Sequence, residues 1–471
     1  FNPENAKKLL KENAKNIVEL KKSLQKQPQE FLLAGLGNIV PIFKDAINLF
    51  GEISNLNLRF LELAEDLDDL QKNGFQYFRN DGKKLIRKIS EIKIILKDVT
   101  GKTTKIQNAT SRLAEKSSFF KKINSSLTGQ YLKHASSLLS VSSALESLTA
   151  FLDSKVNRHL LLIFHNPSEI RPGGGFIGSY GDLVINEGQM QNLEVQDIYW
   201  PDHPMNFDLK VIPPEPLQTI TTDWGARDGN WFFDFPTSAK TVANFLEASK
   251  IYKDKKISFD GVIALNTDVF KTLLKAVGSI SLPDYNLVID ENNFLKEVQK
   301  EVETGRDKKA GENPKRILSA IAPIIIERLE ALSPETKKKL LTEIIDHVSH
   351  KDIMFSMKDE TLAGSLKELD LDGSVMSLPH NFWGNYLAVV NANIAGGKSD
   401  AFISQSIEGR VDVSGDGNSF VNLKVTRTHS GEKEKEWWWR ADNKNYIQFF
   451  VNPGSKLIAI DGNEPVPKNS P

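Results

Sequence analysis

The sequence reads as a multidomain α+β protein. It has an N-terminal helical bundle or stalk over 1–155, a central α/β sandwich over 156–397 and a small C-terminal β region, sandwich-like, over 398–471. Three observations carry this division. No proline occurs between Pro41 and Pro167, and apolar residues in that gap recur at helical spacing. Near residue 158 the pattern changes to short apolar runs alternating with amphipathic segments. From Lys398 onward, period-2 alternation and turn residues dominate.

In the first region Ile47, Phe50, Ile53, Leu56, Phe60 and Leu63 form one helical stripe, and Leu85, Ile89, Ile92 and Leu96 form another. Glycines 51, 74, 82, 101 and 129 are candidate breaks or C-caps, which gives four to six helices. These helices serve as a structural spacer or as a partner-binding module.

The second region opens with a buried strand, 160–164. Strands over 176–186 and 193–199 follow, joined at Glu187-Gly188. A proline-rich acidic loop, 201–216, and an aromatic loop, 223–236, lead into a helix at 237–248. A strand at 257–265 precedes a helix at 268–277 that Gly278 ends, and a short strand covers 279–282. Asp290 caps a helix bearing Phe294, Leu295, Val298 and Val302. A basic segment, 305–316, enters an apolar helix, 317–332, that Pro323 should kink or interrupt. Ser333-Pro334 opens another helix, and 353–355, 360–369 and 386–392 add to this domain. In the third region strands are expected at 402–413, 420–427, 446–451 and 456–460, with a further aromatic strand at 437–439.

The chain's 471 residues suffice for two to four domains, and 40% of them are apolar. Lys and Arg total 60 against 61 Asp and Glu, so no basic surface points to nucleic acid. Cysteine is absent, which excludes disulfides, zinc-thiolate sites and thiol catalysis. The longest apolar stretch, 31–43, is too short to span a bilayer. A chain that begins at Phe1 is expected to be a fragment or a processed form.

The stretch with most chemical content is 166–182, NPSEIRPGGGFIGSYGD. Gly173, Gly174 and Gly175 between two strands call for φ > 0 or for close approach to the backbone. With Glu169 and Arg171 they make a candidate rim of an anion-binding cleft, or else a tight turn of structural glycines. A dinucleotide fold is excluded, because a strand follows G-x-G-x-x-G where that fold needs a helix. Arg171, Arg227, Arg306 and Arg316 fall at loops or element ends and suit bidentate phosphate recognition, with ordinary surface pairing as the alternative. Asp228 and Asp234 are candidate metal ligands, and Asn230 and Trp231 are candidate ligand contacts; packing of the loop on itself is the alternative for all four. His347 and His350 fit favourable placement at a helix C-terminus. The segment 412–417 imitates an EF-hand start, but Leu423 stands where glutamate is needed.

These stretches resemble an uncharacterised family of bacterial envelope proteins. Its marks are N-x-x-E-x-R-x-x-G-G-F-x-G, matched by Asn166, Glu169, Arg171, Gly174, Gly175, Phe176 and Gly178, then R-D-x-N-W-x-x-D-F-P from Arg227 to Pro236, and D-G-V-I-A from Asp260 to Ala264. More distantly, the order of elements is similar to the LytR-CpsA-Psr phosphotransferases, which move glycopolymers from a polyprenyl-pyrophosphate carrier to the cell wall. Pro172 follows Arg171 where those enzymes have an aspartate. The resemblance implies an extracytoplasmic protein anchored to the membrane by a segment upstream, binding a polyprenyl-phosphate-linked glycan or cell-wall polymer. By that likeness Arg171 and Arg227 would be catalytic or phosphate-holding, joined by Arg306 and Arg316. Glu169, Gly173, Gly174, Gly175, Asn230 and Trp231 would line the ligand, and Asp228 and Asp234 would carry Mg²⁺. The alternative is a non-catalytic cell-surface scaffold.

Overall fold

The computed structural model describes residues 3–33, 40–115, 118–203, 210–304, 316–379, 382 and 384–462. Four long helices come first: α1 (Pro3–Leu33), α2 (Val40–Asn80), α3 (Gly82–Ala114) and α4 (Ser118–Leu152), each packed on its neighbour in sequence. The 41 residues of α2 extend about 60 Å at 1.5 Å per residue. Gly51, Gly74, Gly101 and Gly129 lie inside helices, and among the expected breaks only Gly82 stands at a helix end. An interior glycine costs about 1 kcal/mol, which continuous apolar stripes outweigh. One such contact joins Ala46 and Leu49 of α2 to Ile106 and Leu113 of α3.

Gly82 has a different task. A Cβ there would lie 2.2 Å from the Glu187 carbonyl oxygen, and one on Gly188 (φ 73°) would meet the Gly82 carbonyl at 2.7 Å. Two glycines back to back thus let the α2–α3 corner sit directly on a strand turn. The Gln189 side chain donates to the Arg79 carbonyl across the same contact at 3.0 Å.

The central sheet contains β1 (Arg158–Asn166), β2 (Phe176–Asn186), β3 (Gln189–Asp197) and β4 (Gly261–Asn266). Two short strands, β5 (Ile280–Leu282) and β6 (Leu287–Ile289), pair separately, and β7 (Ile353–Met357) completes the main sheet in the order β3-β2-β1-β4-β7. Only β1 and β4 run parallel; the other three pairings are antiparallel. β1 is central and buried on both faces, as its unbroken apolar run requires. Leu161 and Ile163 pack under Ala239, Val242 and Leu246 of α5 (Phe235–Ala248), beside the short α6 (Lys250–Lys253). On the other face Leu160 and Ile185 meet Phe151 and Leu152 of α4 and Ile89 of α3. The helical region and the sheet therefore share a hydrophobic cluster, although their periodicities differ.

A satellite core joins α7 (Thr267–Val277), β5, β6, α8 (Phe294–Thr304) and α9 (Arg316–Ala331) around Leu274, Ile280, Phe294 and Ile321. Pro323 lies inside α9 without ending it, so of the kink or interruption expected there the interruption does not occur. The Ser333 hydroxyl accepts from the Thr336 N–H and caps α10 (Pro334–Ser349). α11 (Glu360–Glu368) covers the sheet beside α4.

The C-terminal region comprises β8 (Leu387–Asn393), β9 (Ile403–Val413), β10 (Ser419–His429), α12 (Trp437–Arg440) and β11 (Asn445–Val451). The expected sandwich is replaced, among the described residues, by two separate two-stranded ladders, β9–β10 and β8–β11. The second ladder crosses the boundary expected at 397/398. Residues 437–439 form a helical turn rather than a strand. Trp438 is buried, and its carbonyl accepts the Lys398 N–H at 2.7 Å. The segment 456–460 is not a strand.

Replacing Leu161, fully buried in β1, by alanine is expected to lower stability by about 2–5 kcal/mol in urea unfolding. Replacing Val156, 73% exposed, should stay within about 0.5 kcal/mol of wild type.

Candidate functional site

The turn between β1 and β2 is filled by the protein's own atoms. A Cβ on Gly173 would lie 1.8 Å from Asn230 Oδ1, one on Gly174 (φ 123°) 2.8 Å from His165 Nδ1, and one on Gly175 2.7 Å from the Asn166 carbonyl. The three glycines thus admit Asn230, His165 and the chain itself, which is a structural reason for their presence. Asn230 is fully buried; its amide nitrogen donates to the Gly175 carbonyl at 2.8 Å and lies 3.2 Å from His165 Nε2.

Arg171 points inward, with 2% of its surface exposed. It donates to the Asn393 carbonyl, to Glu169 Oε1 at 3.2 Å and to Asp228 Oδ1 at 3.4 Å. Arg227 donates to Asp228 Oδ2 at 3.1 Å, so the two arginines do converge, but on a carboxylate of the protein. Asp202 accepts the N–H groups of Ala226 and Arg227 at 2.8 and 3.0 Å and holds the short turn Ala226–Asp228 in place. Burial pushes the Asp202 carboxyl above the ordinary carboxylate range, and these backbone donors oppose it. Trp231 is buried and stacks on Tyr446 of β11, with ring centres 6.0 Å apart. Asp234 caps α5: Oδ2 accepts the Thr237 N–H at 3.1 Å and its hydroxyl at 2.6 Å, and Oδ1 accepts the Val375 N–H at 3.0 Å. Asp228 and Asp234 are thus engaged by guanidinium, amide and hydroxyl donors. No group of three or more His, Asp or Glu is placed to hold a metal among the described residues. Arg306 lies outside the described residues, as does the side chain of Arg316.

Beside this packed turn lies a cavity of about 210 Å³ that periodicity does not disclose. Its apolar wall comes from Phe164 and Phe176 of the sheet, Phe270 of α7, and Phe294, Val298 and Val302 along one stripe of α8. In sequence that stripe is indistinguishable from an ordinary core face. The cavity lies where parallel β1 and β4 end, since Asn166 and Thr267 both contribute. Open α/β sheets commonly bind ligands outside those carboxyl ends. Tyr199 and Trp437 reach it too, although about half of each is exposed.

Glu169, Glu303 and Lys398 form the charged side of the cavity. Lys398 Nζ is 2.5 Å from Glu303 Oε1 and 3.8 Å from Glu169 Oε2. Burial raises the Glu169 carboxyl above its ordinary range, against the pull of Arg171 and Lys398. Glu303, Lys398, Glu169, Arg171, Asp228 and Arg227 thus alternate in sign from the cavity to the protein's flank. The two arginines also back its aromatic wall: the Arg171 guanidinium lies 5.2 Å from the centre of the Phe176 ring, and that of Arg227 5.4 Å from Tyr199. Of the residues expected at a ligand site, Glu169 lines this cavity, whereas Arg171, Arg227 and Asp228 stand behind it. Lys398 and Glu303 carry no motif. The signal for Lys398 is the Gly396-Gly397 pair before it, where Gly397 takes φ 55° against the Trp438 carbonyl.

Residues 156–302 match the family model "Protein of unknown function (DUF4012)". The DUF4012 match covers just under a third of the chain and includes β1 to α7, most of α8, and all three sequence marks quoted above. It identifies an uncharacterised domain. No curated protein and no solved structure matches the chain. No helix among the described residues is long and apolar enough to cross a membrane.

Replacing Arg171 by methionine leaves Glu169 and Asp228 buried without their shared cation. The expected loss is about 3–5 kcal/mol in denaturant unfolding, so lost function in that variant reports the fold first. Burial lowers the His165 imidazole from 6.5 to about 4, so it stays neutral in the fold while the unfolded chain takes up a proton. Its contribution is intact above pH 6.5 and is lost progressively towards pH 4, reaching about 3 kcal/mol. Glu169, with its raised value, acts in the opposite sense in both proteins. The difference between wild type and His165→Gln, measured by thermal unfolding from pH 7 to 4.5, should therefore shrink on the acid side.

Proposed function

We propose that the central domain is a binding module for an amphipathic, chain-type lipid of the cell envelope, working outside the cytoplasm. A polyprenyl phosphate is the candidate that agrees with the sequence resemblance. The observation that carries this reading is the cavity itself. Its walls are aromatic and aliphatic, and charged groups gather on one side, which suits an apolar chain with a polar end. At about 210 Å³ it is smaller than the ~300–1,000 Å³ typical of drug-sized sites, so it accepts one end of a chain rather than a whole long lipid. The reading favours binding over phosphoryl transfer, because Arg171 and Arg227 are already engaged by the carboxylates of Glu169 and Asp228.

A second reading, a cell-surface scaffold, draws on the β9–β10 ladder. Ile407, Val411 and Val421 share one face of it and are each nearly half exposed, as an interaction surface requires.

Titration with farnesyl phosphate and with farnesol, followed by calorimetry, tests the first reading. Wild type is expected to bind at least one of the two, and Val298→Trp, which fills the cavity, to weaken binding about tenfold or more while still unfolding cooperatively on heating. Absence of binding by wild type, or equal binding by Val298→Trp, removes the lipid reading and leaves the scaffold.

A further inference from the structure

α8 supplies most of one cavity wall and ends in a costly way. Glu301 and Glu303 occupy its last turn, and no basic residue does, whereas a helix C-terminus favours cations. The compensating charge comes from elsewhere. Lys398, 9% exposed, is the one lysine or arginine lining the cavity among the described residues, and it reaches Glu303 at 2.5 Å. A second tie runs from Trp439 Nε1 to Gln299 Oε1 at 2.9 Å. Both ties join α8 to the C-terminal region.

Lys398 itself is firmly placed. Its N–H donates to the Trp438 carbonyl at 2.7 Å, and Gly397 before it turns with φ 55°. Two residues on, Asp400 Oδ2 accepts from the Ile170 N–H at 3.1 Å and from the Asn393 amide at 2.7 Å, which fixes the loop to the β1–β2 turn. Of the two carboxylates beside Lys398, Glu169 has Arg171 as a nearer partner and is held in the turn. Glu303 sits on the last turn of an 11-residue helix and is the one that can leave.

We propose that Lys398 reads the polar end of the ligand, with Glu303 holding its place in the empty cavity. This rests on the cavity reading above. An anionic phosphate monoester exchanges with the Glu303 carboxylate on Lys398, and α8 loses the charge that stabilises its last turn. Ligand chemistry is thereby coupled to the position of the wall that encloses the chain. A neutral alcohol enters without that exchange and leaves α8 closed. No bond is made or broken; one ion pair replaces another.

The test uses farnesyl phosphate, farnesol and inorganic phosphate on wild type, Lys398→Gln and Glu303→Gln. Wild type is expected to prefer the phosphate ester over the alcohol about tenfold. Lys398→Gln should lose that preference while still binding farnesol. Glu303→Gln, which keeps the lysine and removes its competitor, should bind the ester several-fold more tightly, so that its preference for the ester over farnesol widens. Hydrogen exchange across 294–304 should quicken with farnesyl phosphate and not with farnesol. A preference retained by Lys398→Gln, an unchanged ester affinity in Glu303→Gln, or inorganic phosphate binding as tightly as the ester would each overturn the assignment while leaving the cavity reading intact. Failure of wild type to bind either farnesyl compound would remove both.

Discussion

A buried guanidinium organises the middle of this molecule. Arg171 joins its own turn through Glu169, the Ala226–Asp228 turn through Asp228, and the end of β8 through the Asn393 carbonyl. Ionised groups taken out of water are tolerated only when each meets an opposite charge or strong donors. That requirement explains the order of signs running from Glu303 to Arg227, and it ties together segments far apart in sequence. Removing an inner member strands two like charges next to each other in a poorly solvated place.

The same constraint decides how the chemistry of the turn is to be understood. Arginine, glycine and asparagine in one short stretch suggest a cradle for phosphate. Here the guanidinium faces carboxylates and the glycines give room to Asn230 and His165. Phe176 and Tyr199 lie between these cations and the adjoining cavity. The polar cluster therefore shapes an apolar space at one remove, through the rings it holds.

Much of the architecture was legible from periodicity. The unbroken apolar run at 160–164 marks the central strand, and Gly278 and Ser333-Pro334 mark real helix boundaries. Interior glycines misled where stripes such as Ala46, Leu49 and Ile53 continue past them, because tertiary burial outweighs a local penalty. The three tryptophans at 437–439 misled because aromatics favour strands only where a neighbouring strand exists to pair with them. In the site, residue types were legible but directions were not. Nothing local tells whether Arg171 faces outward or inward, or that Lys398, more than two hundred residues away, arrives beside Glu169. The wall of α8 was hidden for a different reason: a stripe facing a void and a stripe facing a core have the same spacing.

The glycine-to-glycine seat at Gly82 and Gly188 has a mechanical consequence. It clamps one end of the α2–α3 hairpin to the β2–β3 corner, while the packing of Ala46 and Leu49 on Leu113 lies about 50 Å away along α2. Even one methyl group at either glycine would prise the helical hairpin off the strand corner, so neither position accepts alanine.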